Sequence, residues 1–375
     1  MTHPQRNSST RAPSLDPLAS LTRPTLLPGL RRLWRDRYHL QLGTDPARAV
    51  VLELPDPAAA GILDLLDGSR SVRAVMAVAR RQGINESDAR TLLTALQAAG
   101  LVVGARSLLP PTLPALIRQR LWEEAAALAL RGAEPPGPDR PSRGPTPTPA
   151  AILRRRARAR VLVTGPGRLA TSIALTLARA GVGHVLPTRD AKRPTDSGAG
   201  RAAAPPEEWD EQLAAQIHHA APGTRTGLIP RRELDFAVLA GLTAPANLTA
   251  AGYARQRLPH LLISIRDGVP VVGPLVPPTG RPCLQCVELH RRDRDPDWSH
   301  VASQLLRPSD TPCAAATALG AAALAATDVL RWLDGERPAT LGVSVEVHAP
   351  DQLRRRTWPP HPECHCSRRP LRGPL

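Results

Sequence analysis

Five cysteines stand in this sequence, and four fall in two tight clusters, Cys283-Leu-Gln-Cys286 and Cys364-His-Cys366, separated by 77 residues. A C-x-x-C turn and a C-x-C turn together supply four soft thiolates, the donor number of a tetrahedral structural zinc. With all four positions filled by protein, such a zinc has no open site and serves structure, not catalysis. His361 and His365 lie beside the second cluster and offer imidazoles in place of a thiolate, although His365, between two ligands, is expected to point outward. Cys313 is left over. It follows Pro312 at a helix start, where a thiol pKa falls, but a small buried apolar residue is the plainer reading. A second chemical signal is Val161-Leu-Val-Thr-Gly165-Pro-Gly167-Arg-Leu-Ala170, a G-x-G-x-x-A turn between a buried strand and a helix. Glycines there let a phosphate approach the helix N-terminus, and Asp190, about 20 residues on, sits where a ribose-binding carboxylate is expected. The same glycines also serve tight strand-to-helix packing, so Gly165, Gly167, Ala170 and Asp190 mark a candidate nucleotide site and do not establish one.

These groups must be positioned by the elements around them. Residues 1–24 are polar and broken by proline and are expected to form a disordered tail. Period-two alternation on either side of Asp36-Arg37, from Leu30 to Leu42, predicts a hairpin, and Ala49 to Leu54 a third strand. Three helices are expected next, near Asp56 to Leu66, Ser71 to Arg81 and Ser87 to Ala99, bounded by Pro57, Gly68, Ser71, Gly83, Asn85 and Gly100. Residues 25–105 thus read as a βββααα unit, and 106–133 as a connecting segment with one amphipathic helix between Pro110 and Gly132. Residues 134–149 hold seven prolines among sixteen positions and read as a linker. From 150 to 375 the pattern is α/β: the Gly-rich strand-turn-helix, strands near His184, Leu234, Leu261, Val271 and Gly342, and a long Ala-rich helix from Ala314 to Leu333.

Composition excludes several classes of function. Of 49 basic residues only Lys192 is a lysine, so the net charge of +16 reads as an Arg/Ala/Pro bias of the surface and not as a nucleic-acid footprint. Aromatics make up only 2%, which argues against stacking platforms for single strands. The most apolar stretch, Cys313 to Leu333, carries Asp328 and Arg331 and is not a membrane span; the N-terminus lacks the apolar core of a signal peptide, and a cytoplasmic protein is expected. A winged-helix DNA-binding regulator is one alternative for the front unit. Residues 25–105, however, hold ten Arg against eight Asp and Glu, and the would-be recognition helix opens with Glu86 and Asp88. A nicotinamide oxidoreductase would use the glycine turn but leaves four thiols unexplained.

The order of Gly-rich turn, Asp267-Gly268-Val-Pro-Val-Val-Gly-Pro-Leu, Arg281-Pro-Cys-Leu-Gln-Cys286, small-residue helix and Trp358-Pro-Pro-His-Pro-Glu-Cys-His-Cys366 resembles the E1-like adenylyltransferases of the ThiF/MoeB superfamily, over about residues 158–367. The resemblance implies a Rossmann-like domain with a structural zinc. The family's ATP and magnesium ligands are largely missing: Leu186-Pro-Thr-Arg-Asp190 stands in place of an Asp-x-Asp run, Ala240-Gly-Leu-Thr-Ala-Pro245 in place of the Asp after the fourth strand, and Lys192 is two residues from Asp190. ATP is therefore not expected as a cofactor, and no intrinsic adenylation is expected.

The βββααα unit in front resembles the winged-helix-like peptide clamp, the RiPP recognition element, that precedes an inactive E1-like domain in the leader-binding proteins of azole-forming (TOMM) peptide pathways. The resemblance implies a leader peptide added to the third strand along Val50, Val51, Leu52 and Glu53 and packed on a helix face with Arg90, Leu93 and Gln97, although Val50 and Leu52 must in part be core. It also implies a separate YcaO-type cyclodehydratase as partner and, from the E1-like relatives, a homodimer. The expected function is a non-catalytic peptide-presenting scaffold. The alternative is an active adenylyltransferase acting on a carboxylate.

Overall fold

The computed structural model describes residues 18, 21–46, 49–54, 56–132, 147–188, 208–241, 252–304 and 312–368. Contacts divide the chain into two units, one of residues 1–113 with 122–151, the other of residues 114–121 with 152–375.

The first unit is built on the expected hairpin. The Asp36 carboxylate accepts the N–H groups of Tyr38 and His39, both at 2.8 Å, and so closes the turn between β2 (Arg32–Trp34) and β3 (His39–Leu42). β4 (Val50–Glu53) pairs antiparallel with β3, giving the order β2-β3-β4 with Leu40 opposite Leu52 and Gln41 opposite Val51. Alternation sends Leu40, Leu42 and Leu52 into the core and leaves Val51 outside. Behind the sheet lie a 3-10 helix, Pro57–Leu65, and the helices Val72–Arg81 and Glu86–Ala98, capped by the side chains of Asp56, Ser71 and Asn85.

Three expectations need correction here. The first of the three helices is a 3-10 helix, started by Pro57 and running through Ala58-Ala-Ala-Gly61, where small side chains leave little to define an α-helical face. Order begins before residue 25: Leu18 and Leu21 are buried, and β1 (Pro24–Leu26) pairs antiparallel with β5 (Val102–Gly104). Proline is tolerated at the start of an edge strand, so Pro24 opens β1 and does not end a tail. The single helix expected over 110–132 is two, Ala115–Arg120 and Trp122–Gly132, divided between the units, with Leu121 ending the first.

In the second unit a seven-stranded sheet runs β12-β11-β10-β9-β8-β6-β7. β6 (Arg160–Thr164), β7 (His184–Thr188), β8 (Phe236–Ala240) and β9 (His260–Arg266) are parallel neighbours, and β10 (Val269–Val276), β11 (Val343–Ala349) and β12 (Gln352–Thr357) continue the sheet antiparallel. The parallel strands read as unbroken apolar runs because both of their faces are covered. Helices Arg168–Arg179 and Ala315–Asp334 pack together over the sheet with their small residues Ala170, Ala174, Ala318, Ala322 and Ala325 inside. The long helix is pinned at its end by a buried bidentate pair, Arg156 Nε and Nη2 to the Asp334 carboxylate at 2.9 and 2.7 Å. The helices Pro149–Arg158 and Glu208–Ala220 and strand β12 were not anticipated. The 134–149 linker falls almost wholly outside the described residues, and no described helix is long and apolar enough to cross a membrane.

Candidate metal centre, glycine turn and strand edge

After β10 the chain turns through Arg281 and Pro282, and Cys283 becomes the N-cap of the helix Leu284–Arg292, which sets Cys286 on the first turn. Cys364 and Cys366 arrive from the other end of the unit, behind the buried Trp358, whose indole N–H donates to Ser344 Oγ at 2.8 Å. The Sγ atoms of Cys283 and Cys286 are 3.8 Å apart, those of Cys283 and Cys364 3.5 Å, those of Cys286 and Cys366 3.3 Å, and all four lie within 4.8 Å of one another. Four thiolates at about 2.3 Å from one zinc have sulfur-sulfur edges of about 3.8 Å. A disulfide would need about 2.05 Å, and none is formed. The four cysteines can therefore hold one tetrahedral metal such as zinc.

The electrostatics agree. Hydrogen bonds from Cys283 and Cys366, aided by the backbone amides of His361 and Cys283, hold the Cys286 thiol far below its usual range, and the same sulfur-sulfur bonds push Cys283 far above it. Four thiolates this close repel one another and require a cation at the centre.

Neither histidine replaces a thiolate. His361 Nε2–H donates to Asp293 Oδ2 at 2.6 Å and its Nδ1 accepts the Glu363 amide at 3.1 Å, so both ring nitrogens are committed, while His365 is exposed. His361 instead braces the second cluster, its carbonyl accepting the Cys364 N–H at 3.0 Å and the Ser367 hydroxyl at 2.7 Å. Its bond holds the Asp293 carboxyl below the usual carboxylate range. Sequence reading missed Asp293, which lies 68 positions away with no motif to announce it. Cys313 is no activated nucleophile: it precedes the long helix, packs partly on the core, and burial pushes its thiol up.

At the end of β6 the glycine turn has two characters. Gly165 sits at φ +99, and a Cβ there would meet the Ala240 carbonyl oxygen at 1.8 Å, so this glycine is demanded by packing against β8. Gly167, at φ +88, N-caps the helix Arg168–Arg179 and has nothing within 4 Å of where its Cβ would be. Ala170 is wholly buried inside that helix. Asp190 and Lys192 lie outside the described residues.

In the first unit β4 is an outer strand, pairing with β3 alone among the described residues. Val51 and Glu53 are exposed, Val50 is half-buried, and Leu52 belongs to the core. On the helix Glu86–Ala98, Arg90 is exposed and Gln97 partly so. Leu93 is fully buried in the same core as Leu52, so it holds the helix in place and is not free to meet a peptide.

No family model matches the chain, and no curated protein matches it in sequence. Its fold does match solved structures. The crystal structure of E. coli MccB with ATP superposes with a TM-score of 0.54 at 14% identity, covering 92% of this chain and 99% of that one. The microcin C7 biosynthetic enzyme MccB in complex with N-formylated MccA gives a TM-score of 0.55 at 14% identity over the same shares. The heterocyclase TruD gives 0.57 at 15% identity, over 92% of this chain and 42% of TruD. The chain thus shares a fold with MccB over nearly the whole of both chains and with less than half of TruD.

Proposed function

We propose that this chain is a leader-peptide-binding scaffold that presents a ribosomal precursor peptide to a separate YcaO-type, ATP-dependent cyclodehydratase in azole or azoline formation. The observation that carries the reading is β4, a short strand that pairs on one side only among the described residues, with Val51 and Glu53 exposed, in a unit of its own ahead of a Rossmann-like unit. An extended peptide adds to such an edge through main-chain hydrogen bonds, and alternate side chains set its register. The hairpin of β2 and β3 carries Arg31, Arg35 and Arg37 besides Arg32, which is paired with Asp64; with β3 between β2 and β4, this charge favours an acidic leader through long-range steering and not through contact at the edge. Two of the matched folds lend support by what they are described as: a biosynthetic enzyme in complex with MccA and a heterocyclase. In this reading Cys283, Cys286, Cys364 and Cys366 hold one structural zinc that ties the start of the helix after β10 to the chain beyond β12. The protein works in the cytoplasm, with the precursor and the cyclodehydratase as partners and a second copy as a further one.

One observation favours a second reading, an active adenylyltransferase acting on a carboxylate: the turn at Gly167 is open, and MccB has been crystallised with ATP. Against it stand the missing carboxylates for magnesium and the lone lysine, without which little stabilises the charge that develops in nucleotidyl transfer. Calorimetry with ATP and magnesium, followed by pyrophosphate exchange with the precursor present, separates the two. The scaffold reading expects weak or undetectable ATP binding and no exchange; exchange dependent on this protein alone would replace it with the second reading.

A further inference from the structure

β12 closes the seven-stranded sheet on its antiparallel side and pairs with β11 alone among the described residues. Five of its six residues are exposed, so the strand stands clear of cover on both faces. The register explains why: Leu353 and Arg355 lie opposite Val347 and Val345, which are buried, and the long helix packs chiefly on β9, β10 and β11. Alternate residues along this edge turn N–H and C=O groups outward with no strand to receive them.

Charge decides what such an edge accepts. The strand reads Gln352-Leu-Arg-Arg-Arg-Thr357. Arg354 is 78% exposed and meets Glu346 only at 3.8 Å, Arg355 has no ion pair among the described residues, and Arg356 lies over the Trp358 ring at 4.7 Å. Arg291 and Arg294 approach the same ring at 5.9 and 5.5 Å. The opposing carboxylates are few: Glu288 is held by Arg291 and Trp298, Glu346 is shared among Arg354 and His348, and Asp351 sits in the turn before the strand. Charge of a single sign blunts an edge against its own kind. Two copies paired antiparallel about the strand centre would set Arg354 against Arg355, an unfavourable cross-strand pair. An acidic strand meets the opposite situation, since glutamates along one face meet Arg354 and Arg356 and the intervening apolar side chains meet the face of Leu353, while the backbone completes the ladder.

We propose that β12 is a docking edge for an extended acidic segment of a partner protein. It lies in the other unit from β4 and does not depend on the leader reading. A capped synthetic peptide of about ten residues alternating glutamate with valine, and its lysine counterpart, test it on the full-length chain. The glutamate peptide should bind in fluorescence anisotropy, lose about tenfold in affinity between about 50 and 300 mM salt, and slow amide exchange at residues 352–357. The lysine peptide should not bind. Arg354→Glu with Arg355→Glu should reduce binding of the glutamate peptide about tenfold or more, and Arg355→Gln, a milder change, should reduce it less while thermal unfolding stays the same. Equal binding of both peptides, protection elsewhere than 352–357, or no effect of the charge reversals would overturn the proposal. So would a rise in dimer content on reversing the charges without any change in peptide binding, since the edge would then serve a second copy.

Discussion

Cys286 and His361 show how much of a site is local and how much is not. The four thiols were legible because each pair sits within one turn, and a turn of three or four residues fixes its own geometry wherever the fold carries it. Asp293 and its pairing with His361 were not, since their 2.6 Å bond depends on where a helix and a tail meet. Replacing Cys364 with serine should release the metal and lower stability by several kcal/mol; elemental analysis beside thermal unfolding checks it, and full zinc content in the variant would disprove the ligand set. Another residue-scale effect comes from His260, which is wholly buried, donates from Nδ1 to the Leu258 carbonyl at 2.9 Å and has no partner for Nε2 among the described residues. Burial lowers its pKa to about 4. The unfolded chain, with an ordinary pKa near 6.5, therefore binds the proton first, so the stability this group provides is complete above about pH 6.5 and is lost as pH falls toward 4, by roughly 3 kcal/mol. Denaturant titrations of the native chain and of His260→Phe across that range should show the slope in the first and a flatter curve in the second.

Elements were read well where periodicity was strong and poorly where arginine or proline masked it. β12 was missed because three consecutive arginines hide alternation, and β1 because Pro24 looked like the end of a disordered stretch. The hairpin and the helices at Val72 and Glu86 were visible because their caps and their apolar spacing agree. Gly165→Ala places a methyl group against the Ala240 carbonyl and should destabilise the second unit severely, whereas Gly167→Ala meets no neighbour but a backbone conformation (φ 88, ψ −172) that essentially only glycine adopts, and should cost about 1–3 kcal/mol. Urea melts of the two variants measure the difference. Equal costs would mean that the turn is not packed as described.

At the scale of the whole molecule, the second unit depends on contacts that no local pattern announces. Arg156 and Asp334 are 178 positions apart and both about 2% exposed. Arg156→Leu and Asp334→Asn each leave one buried group without its partner and should each cost about 3–5 kcal/mol; Asp334→Asn, which strands a guanidinium that cannot shed its charge, should cost no less than Arg156→Leu, whose carboxylate can take up a proton, and differential scanning calorimetry compares the two. The α/β class and the glycine turn were legible from the strand runs, but the antiparallel extension from β10 to β12 was legible only in part, because strand pairing is decided by tertiary neighbours.

Leader binding at β4 is tested most directly by amide exchange of the full-length chain with and without a synthetic acidic leader peptide. Slowed exchange along residues 50–53 is expected, and it should be lost in Val51→Pro, which removes a strand donor, while circular dichroism and metal content stay unchanged. Exchange at 50–53 that the peptide leaves untouched, with duplex DNA binding to the same unit in sequence-dependent fashion, would contradict the scaffold reading and favour a regulator.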